Sequence, residues 1–544
     1  MLHKIENKPI LTITVAVLVM LCINIDVLDV TIMEARNFIT AREMLTDGNW
    51  LLTTMNGEPR YQKPPLPTWF AAISGLIFGI KNIFALRLPG ILMVIVVGLN
   101  SFLLSHKLLN NKLHALVNGL ITISSFYVIG IIIEAPWDIF THGFMLVAIY
   151  HLFQLFEKKQ QYWKHTLFAG LFFGLSILCK GPVSFYALLL PFLLAYGFTY
   201  KYKNFRPKLF SLFSFIIIAL VIGGWWYLYV RLEDPETFIK ITSKETGNWG
   251  SYNVRPFYYY WSFFTQSGLW TIPAFIALLY PYMKTRVINL KAYKFSFLWT
   301  ILAVILLSII PEKKSRYLMP VLIPMALNTG FYIEYLIRGF KSLKDKKETG
   351  PVYFNFGLIA LIGIAFPIAG YFLLKGNPNI NWALFIAASL VLFNIGLAIL
   401  FQLKLKNLKR VFYLTIAFMI CAFVFVLPLS NTLKSNSEKP ISNLNLEAKK
   451  DGITVYSLYG ISPEVIWQFG DKIIQIKQND STYNLPKEIK FGMLSNNIKP
   501  EDDRFLKQKY TIEQNATFDL NTADKDTRGY RDRLVSNYYI LTKK

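Results

Sequence analysis

The sequence predicts a mostly α-helical, polytopic membrane protein with a small soluble α/β domain at its C-terminal end. Hydrophobic residues make up 54% of the 544 residues and charged residues only 17%, whereas an ordinary soluble domain is roughly 45–50% apolar. The charges cluster in short loops between apolar segments that are long enough to cross a bilayer core. After residue 429 the apolar runs shorten to strand length. We therefore divide the chain into a membrane domain, 1–429, and a soluble domain, 430–544.

The apolar segments are interpreted as transmembrane helices because only helices and closed barrels satisfy the backbone inside a bilayer. They are too long and too uniformly apolar for barrel strands. The first segment has no small-residue cleavage site, so it is predicted to be a span and not a signal peptide. About thirteen spans are predicted, near 9–25, 86–105, 113–133, 137–156, 166–180, 182–199, 209–230, 263–283, 294–310, 317–337, 353–374, 381–403 and 410–429.

Loop charge predicts the orientation of these spans. Lysine and arginine concentrate in cytoplasmic loops, and basic loops fall at every second gap between spans, at 106–112, 157–165, 200–208, 284–294, 338–348 and 404–410. This places the N-terminus in the cytoplasm, and the first outer loop, 26–85, and the soluble domain outside. The net charge of +24 then reflects topology, which argues against a nucleic-acid partner.

Segment 66–80 is apolar but only 15 residues long. Counting it as a span would invert every later loop, so we predict a helix lying in the outer membrane interface. A short true span is the alternative. Within the soluble domain, strands are predicted at 453–458, 472–476 and 538–541.

The first outer loop carries several charged residues in a helical pattern. Glu34, Phe38 and Leu45 recur at helical spacing, so 33–45 is predicted to form an amphipathic helix along the membrane surface. Lys63 precedes two prolines, which force an extended backbone and could aim the lysine at one point. The alternative is an interfacial helix with ordinary solvated charges.

Two polar positions between later spans are further candidates. Asp138 follows a proline at the start of a span, where a carboxylate is either functional or a helix cap. Lys180 lies in a lysine–glycine–proline turn between two apolar runs. It either extends to the membrane interface or is held at a fixed place by that turn.

Cations on the predicted outer face run against the positive-inside trend. Arg255 and Arg316 lie there, and Tyr317 opens the next span. Lysine and arginine both bind phosphate, arginine in a bidentate manner. The chain has neither a P-loop nor a dinucleotide-binding glycine motif. A substrate activated by a lipid-linked phosphate therefore fits the location and the cations together.

Three segments carry a resemblance to a known family: MEARNFITAREMLTDGNWLLTTMNGEPRYQKPPLPTWF from residue 33, SILCKGPVSF around Lys180, and SRYLMPVLIPMAL from residue 315. They resemble glycosyltransferase family 39, and most closely its aminoarabinose lipid A transferases and related bacterial polyprenyl-phosphate-sugar transferases. The resemblance covers about residues 1–430. It implies a GT-C membrane fold with an outward-facing active site and an inverting transfer from an undecaprenyl-phosphate sugar.

The resemblance also implies residue roles. Lys63 matches the lysine that would hold the donor phosphate, and Arg36, Arg255 and Tyr317 match positions that line the same site. Asp138 matches the acidic position after the third span.

The chain departs from the family in two places. Met33 stands where the family has an aspartate, so Glu34 or Asp29 is the candidate for the general base, beside Asp138. Gln62 replaces a glutamate, which leaves the need for a divalent metal ion open.

The predicted function is transfer of a sugar from a polyprenyl phosphate to a lipid A-like or other cell-envelope acceptor at the outer face of the inner membrane. Lys63, Lys180, Arg36, Arg255, Arg316 and Tyr317 would bind the phosphate. A protein O-mannosyltransferase shares the fold and differs in its acceptor. A transporter of lipid-linked sugars is a further alternative, although the internal repeats expected of one are not evident. The sequence specifies neither the sugar nor the acceptor.

Overall fold

A computed structural model describes residues 2–160, 162–203, 205–434, 438–479 and 482–544. The chain forms two compact units. The first unit comprises Met1–Leu28, Tyr61–Phe70 and Arg87–Leu429, and the second comprises Asp29–Arg60, Ala71–Leu86 and Ser430–Lys544. Parts of the first outer loop therefore belong to the same unit as the C-terminal residues. The domain boundary expected at 429/430 instead places that whole loop in the membrane domain.

The first unit is a bundle of helices. Among the described residues, ten helices are long and apolar enough to cross a membrane. The helices of this unit are Leu2–Asn7, Pro9–Leu21, Lys112–Ile123, Phe126–Glu134, Pro136–Glu157, Trp163–Lys180, Leu190–Thr199, Leu209–Glu233, Pro235–Ser251, Thr271–Ala277, Tyr280–Met283, Leu290–Ile309, Met319–Gly339, Lys346–Leu374, Trp382–Lys404 and Leu408–Cys421. The helices Leu66–Phe78 and Ile83–Leu109 contain unit boundaries.

Two helices form the centre of this bundle. Pro136–Glu157 and Met319–Gly339 are buried along most of their length, whereas Leu209–Glu233 and Lys346–Leu374 are exposed along one side. Exposed apolar side chains are expected where a helix faces lipid. The two central helices matter for function because Asp138 and Tyr317 lie at their N-terminal ends.

Ten of the predicted spans correspond to the ten long apolar helices, and three differ. Segment 166–180 is the helix Trp163–Lys180, which has polar residues at both ends. Segment 182–199 yields a shorter apolar helix, Phe185–Thr199. Segment 263–283 forms three short helices, Phe263–Trp270, Thr271–Ala277 and Tyr280–Met283. The first is kinked at Gly268, which has φ 67° and ψ −111°, a conformation that glycine tolerates and other residues do not.

Small residues allow two neighbouring helices, Trp163–Lys180 and Leu209–Glu233, to approach closely. A Cβ on Gly174 would lie 2.6 Å from the Cβ of Ile222, and one on Gly170 would lie 2.8 Å from the Cβ of Ile218. Close approach over small residues is a common way for helices to associate in membranes. Burial of apolar surface does not favour association there, because lipid tails are as apolar as the side chains.

Adjacent glycines of the second helix give a matched test of this packing. A Cβ on Gly223 would lie 2.5 Å from the Cβ of Ile177, whereas one on Gly224 would meet no atom within 4 Å. We expect Gly223→Ala to lower the free energy of unfolding by about 1–3 kcal/mol through overpacking. Gly224→Ala should be neutral, or stabilise by up to about 1 kcal/mol. Thermal unfolding of both variants in detergent measures the difference, and equal midpoints would contradict the prediction.

A five-stranded sheet forms the core of the second unit. A short antiparallel pair, β1 (Thr54–Met55) and β2 (Glu58–Pro59), precedes it in the chain. The order of the large sheet is β4-β3-β5-β7-β6, with β3 parallel to β4 and β5, and β7 antiparallel to β5 and β6. These strands are β3 (Val455–Ser457), β4 (Ile474–Gln475), β5 (Lys490–Ser495), β6 (Tyr510–Asp519) and β7 (Val535–Lys543).

The small α/β domain expected at the C-terminal end is therefore confirmed. All three predicted strands are present, as β3, β4 and β7. The strands β5 and β6 were not predicted. Five of the ten positions of β6 are exposed and only one is buried, so β6 lacks the alternating burial of a half-buried strand. The helices of this unit are Ile32–Asp47, Leu444–Lys450, Pro463–Phe469 and Pro500–Lys509.

The helix expected at 33–45 is present as Ile32–Asp47 and ends at Gly48, which has φ 75°. Its apolar side chains pack in a protein core, which corrects the expectation of a helix along the membrane surface. Ile39 is fully buried in one cluster with Val465 and Leu494. The ring centroids of Phe38 and Trp467 lie 5.3 Å apart.

Candidate active site

Asp138 and Lys180 form an ion pair in the first unit, although 42 positions separate them in the chain. Asp138 lies in the first turn of helix Pro136–Glu157, where the positive end of the helix dipole favours a carboxylate. It is not the N-cap residue of that helix, because that position is Ala135, which makes no side-chain cap hydrogen bond. The carboxylate instead accepts a hydrogen bond from the Lys180 ammonium.

A break in the chain direction places Asp138 at this point. The helix Phe126–Glu134 ends, Ala135 adopts φ −155° and ψ 77°, and the next helix begins at Pro136. Proline is favoured at the first position of a helix because its missing N–H is not needed there. The start of a span expected at this proline is therefore confirmed.

Lys180 is the last residue of helix Trp163–Lys180, and Gly181 follows with φ 70°. This positive φ turns the chain sharply, as the lysine–glycine–proline motif predicted. The ammonium contacts protein groups: besides Asp138, it lies 5.2 Å from the ring centroid of Tyr317. The side chains of Asp138 and Lys180 are only 2% and 11% exposed, which makes their attraction stronger than that of a surface pair.

The loop before helix Met319–Gly339 supplies the other groups at this place. The Tyr317 hydroxyl donates to Glu312 Oε1 over 3.1 Å. The Lys314 ammonium lies 2.5 Å from the same oxygen, so this cation is already paired. Arg316 is half-buried, with its guanidinium carbon 5.9 Å from the Tyr317 ring centroid. Arg316 also attracts the Asp138 carboxylate electrostatically.

Arg255 lies in a segment that pairs with this loop. Its backbone N–H donates to the Pro311 carbonyl oxygen over 3.2 Å, and its side chain is exposed. The structure therefore brings the backbone of Arg255 beside the loop that bears Arg316 and Tyr317.

Lys63 lies in the first unit, in a short segment anchored at both ends. On one side the Tyr61 hydroxyl donates to Asp234 over 3.0 Å. On the other side Trp69 stacks on Trp225 with their ring centroids 6.2 Å apart. Burial and the Asp234 carboxylate together raise the pKa of Tyr61 to about 12. Lys63 itself is half-buried and is followed by the two prolines noted in the sequence.

Glu34, Asp29 and Arg36 belong to the second unit. Glu34 is fully buried, and its carboxylate accepts the backbone N–H of Thr31 over 3.1 Å in a capping box. Asp29 pairs with Lys434 at 2.5 Å and is half-exposed. Both carboxylates thus have structural partners, and a catalytic role for either stays a prediction. The half-buried Arg36 contacts Met33 Sδ at 3.9 Å, and its assignment to the phosphate site also stays a prediction.

The sequence interpretation missed His142, which lies one helical turn after Asp138. Its Nδ1 is 3.0 Å from Ser184 Oγ, and both side chains are buried. This bond joins helix Pro136–Glu157 to the chain that follows the Lys180 turn. The four-residue spacing from Asp138 was the available signal, since it places both residues on one helix face.

No group of three or more histidine, cysteine, aspartate or glutamate side chains within the described residues is arranged to hold a metal ion. A hard divalent cation takes several oxygen ligands. The mechanism proposed below assigns roles to side chains only.

Comparisons with known proteins agree with this architecture. The family model for dolichyl-phosphate-mannose-protein mannosyltransferase matches residues 62–226. An uncharacterized protein of Aquifex aeolicus is 26% identical over 329 residues, covering 58% of this chain and 60% of that protein. Undecaprenyl phosphate-alpha-4-amino-4-deoxy-L-arabinose arabinosyl transferase 2 of Proteus mirabilis is 26% identical over 345 residues, covering 61% and 60%.

The chain thus spans about 60% of the length of these two relatives. The corresponding transferase of Erwinia tasmaniensis is 22% identical over 553 residues, covering 93% of this chain and 94% of that protein. The crystal structure of ArnT from Cupriavidus metallidurans bound to undecaprenyl phosphate superposes with a TM-score of 0.68 at 14% identity, covering 98% of this chain and 97% of that one.

The expected resemblance and fold are therefore confirmed. The ten apolar helices and these likenesses support a multi-pass protein of the inner membrane. The chain has the GT-C fold of the ArnT structures and resembles the aminoarabinose transferases in sequence.

Proposed function

We propose that this protein transfers a sugar from undecaprenyl phosphate to a lipid A-like acceptor of the cell envelope. The observation that carries the proposal is the cluster formed by Asp138, Lys180, Arg316 and Tyr317, which places two cations beside a buried carboxylate. The names of the relatives support the donor, since these proteins are called undecaprenyl phosphate-aminoarabinose transferases. The similarity in fold to an ArnT structure with bound undecaprenyl phosphate supports it further.

The chemistry is one displacement at the anomeric carbon. An acceptor oxygen forms the new bond, the bond to the phosphate oxygen breaks, and undecaprenyl phosphate leaves with the electron pair. A single displacement inverts the configuration of the sugar. Charge grows on the departing phosphate, and cations already in place stabilise it without reorganisation. We assign this role to Lys180 and Arg316, with Arg255 and Lys63 as further ligands of the phosphate.

Asp138 is our candidate for the general base within the first unit. Its pairing with Lys180 favours the ionised carboxylate, the form that accepts a proton. A donor phosphate that binds Lys180 would compete for the ammonium and free a carboxylate oxygen for the acceptor. An acceptor phosphate is largely deprotonated near neutral pH, so this proton transfer then contributes little.

The proposed orientation follows from loop charge. The basic loops and the N-terminus lie in the cytoplasm, and the cluster around Asp138 and the sheet domain lie on the outer side. Labelling of single cysteines introduced at exposed positions tests this placement. Reaction of a cysteine at position 255 with an impermeant reagent only after cell lysis would contradict it.

Lys63→Ala should abolish transfer while the protein still folds, because the lysine would bind the donor phosphate as a compact charge. The assay uses purified protein in detergent, radiolabelled undecaprenyl-phosphate sugar and lipid A. We expect a loss of at least about a hundredfold. Lys244→Ala, an exposed lysine of helix Pro235–Ser251, is the matched control and should remain active.

Near-normal turnover by Lys63→Ala would remove this lysine from the phosphate site. The location of the label separates the alternatives. Label in protein would indicate a protein O-mannosyltransferase, and donor movement across vesicles without product would indicate a transporter. Mass spectrometry of membrane lipids from a deletion strain identifies the sugar and the acceptor.

A further inference from the structure

Lys313 is a buried lysine whose partners are backbone carbonyl groups. It is 3% exposed. Its ammonium lies 3.0 Å from the carbonyl oxygen of Arg255, 2.5 Å from that of Ile310 and 3.5 Å from that of Pro311. An ammonium has three N–H donors, and these three contacts account for them. Within the described ranges, Lys313 forms no ion pair with a carboxylate.

These carbonyls belong to two segments that meet as an antiparallel pair. Val254 and Glu312 form an isolated bridge. On either side of it the Lys313 N–H donates to Asn253 over 3.1 Å and the Arg255 N–H donates to Pro311 over 3.2 Å. A single bridge is a short piece of sheet that is weak by itself. The Lys313 ammonium adds one more hydrogen bond between the two segments, because it donates to the carbonyl oxygen of Arg255, the residue after Val254.

The two segments carry groups assigned above to the donor phosphate. The first bears Arg255, and the second continues into Arg316 and Tyr317. Aromatic residues make further bonds between them, since the Tyr260 hydroxyl donates to the Lys314 carbonyl oxygen over 3.1 Å and Tyr259 bonds Ser315 over 3.2 Å. Holding the first segment to the second therefore sets where Arg255 stands relative to Arg316.

We infer that Lys313 is a positioning residue of the donor site. It does not touch phosphate; it ties the segment 253–256 to the loop 310–317 so that Arg255 and Arg316 act on one donor. A lysine suits this task because a buried ammonium attracts several carbonyl dipoles at once, and hydrogen bonds to a charged group are stronger than neutral ones. This inference rests on the proposed function for its kinetic consequence, but not for its structural one.

The structural consequence is tested without any substrate. Val254 and Glu312 are opposite each other in a non-hydrogen-bonded pair, where side chains come closest, so cysteines at both positions should form a disulfide. We expect Lys313→Met to lower the rate at which this disulfide forms by about tenfold, when copper phenanthroline is the oxidant and the protein is in detergent. Lys244→Met, at an exposed position in the same unit, should leave the rate unchanged. An equal rate in the Lys313→Met background would overturn the inference.

The kinetic consequence uses the same proteins. Lys313→Met should raise the KM for undecaprenyl-phosphate sugar about tenfold and change kcat by less than about twofold, because donor binding is loosened and the reacting groups are intact. Forming the disulfide between Val254→Cys and Glu312→Cys should restore the KM of Lys313→Met, and reducing it should remove the rescue. The variant with Val254→Cys and Glu312→Cys that keeps Lys313 is the control. Its KM, measured in the reduced and in the oxidised form, shows any effect of losing Glu312.

The outcomes are separable from failure of the proposed function. If the wild type transfers no sugar, the proposed function fails, while the disulfide rate still tests the positioning of the two segments. If the wild type is active and the disulfide forms but does not rescue Lys313→Met, Lys313 acts directly on the substrate and the inference is wrong.

Discussion

With an acceptor that reacts through a hydroxyl group, replacing Asp138 with asparagine should lower kcat by about 10²–10⁴-fold, the usual contribution of a general base. The amide has nearly the same shape, so the side chain still fills its buried site, but it cannot accept the acceptor proton or balance the Lys180 charge. The KM for the donor should change little, since the ammonium is left to bind phosphate. Steady-state kinetics with the radiolabelled donor in detergent separate kcat from KM.

Glu134→Gln is the matched control for this variant. Glu134 lies four residues earlier, at the end of the preceding helix, and its side chain is exposed. The control should transfer sugar at close to the wild-type rate. Equal activity of Asp138→Asn and the wild type would exclude Asp138 as the base and leave the acceptor to react without one.

The variant Lys180→Met tests the other half of the pair. It leaves Asp138 buried without its cation, which destabilises a protein strongly. The double variant Asp138→Asn/Lys180→Met removes both charges and should recover stability while remaining inactive. Comparing the single and double variants therefore separates an effect on stability from an effect on catalytic activity.

Asp502→Asn should produce the largest local loss of stability in the second unit. Asp502 is fully buried and accepts hydrogen bonds from Lys477 over 2.7 and 3.0 Å. The hydroxyls of Tyr459 and Tyr483 donate to the same carboxylate. These residues come from the chain after β3, from the chain after β4 and from the start of helix Pro500–Lys509, so the carboxylate joins three elements. An amide cannot accept this number of bonds.

Hydrogen exchange of the full-length protein in detergent measures this effect. We expect amides of 455–509 to exchange at least about tenfold faster in Asp502→Asn, with amides of the membrane helices unchanged. Asp503→Asn is the matched control, because Asp503 pairs with Lys507 on the exposed side of the same helix. Unchanged protection in Asp502→Asn would show that the carboxylate does not hold these elements together.

The pH dependence of the same comparison follows from the sign of the pKa shift. Burial by itself raises the pKa of Asp502, but the hydrogen bonds from Lys477 and the two tyrosines outweigh it and hold the pKa below its usual range. Its contribution is therefore complete above the unfolded-state pKa of about 3.9 and is lost as the pH falls through the lower folded-state pKa. The difference between the variant and the wild type should be constant from about pH 5 to 9 and shrink below about pH 4.

The membrane helices could be predicted from the sequence because their signal is local. Each span must satisfy its own backbone hydrogen bonds and present apolar side chains, whatever its neighbours do. Helix ends were predictable for the same reason: Pro136 begins a helix, and Gly48 and Gly181 end helices with positive φ. The span expected at 263–283 failed because apolar content alone does not show where a glycine such as Gly268 interrupts a helix.

The direction in which an apolar face points was not predictable. The pattern of Phe38 and Ile39 fits a membrane surface and a protein core equally well, since lipid and core side chains have similar polarity. In the structure Ile39 packs with Val465 and Phe469, more than 400 positions later in the chain. Only the folded chain brings such distant residues together.

The sequence by itself determined that this is a helical membrane protein with a soluble α/β end, and which residues are chemically able to bind a lipid-linked phosphate. The tertiary structure alone decided how those residues are used. It paired Lys180 with Asp138, placed the ammonium of Lys313 among carbonyls and left Arg316 half-buried near Tyr317. The physical reason is that hydropathy and helix signals act over a few residues, whereas the partner of a buried charge is set by packing between helices distant in the chain.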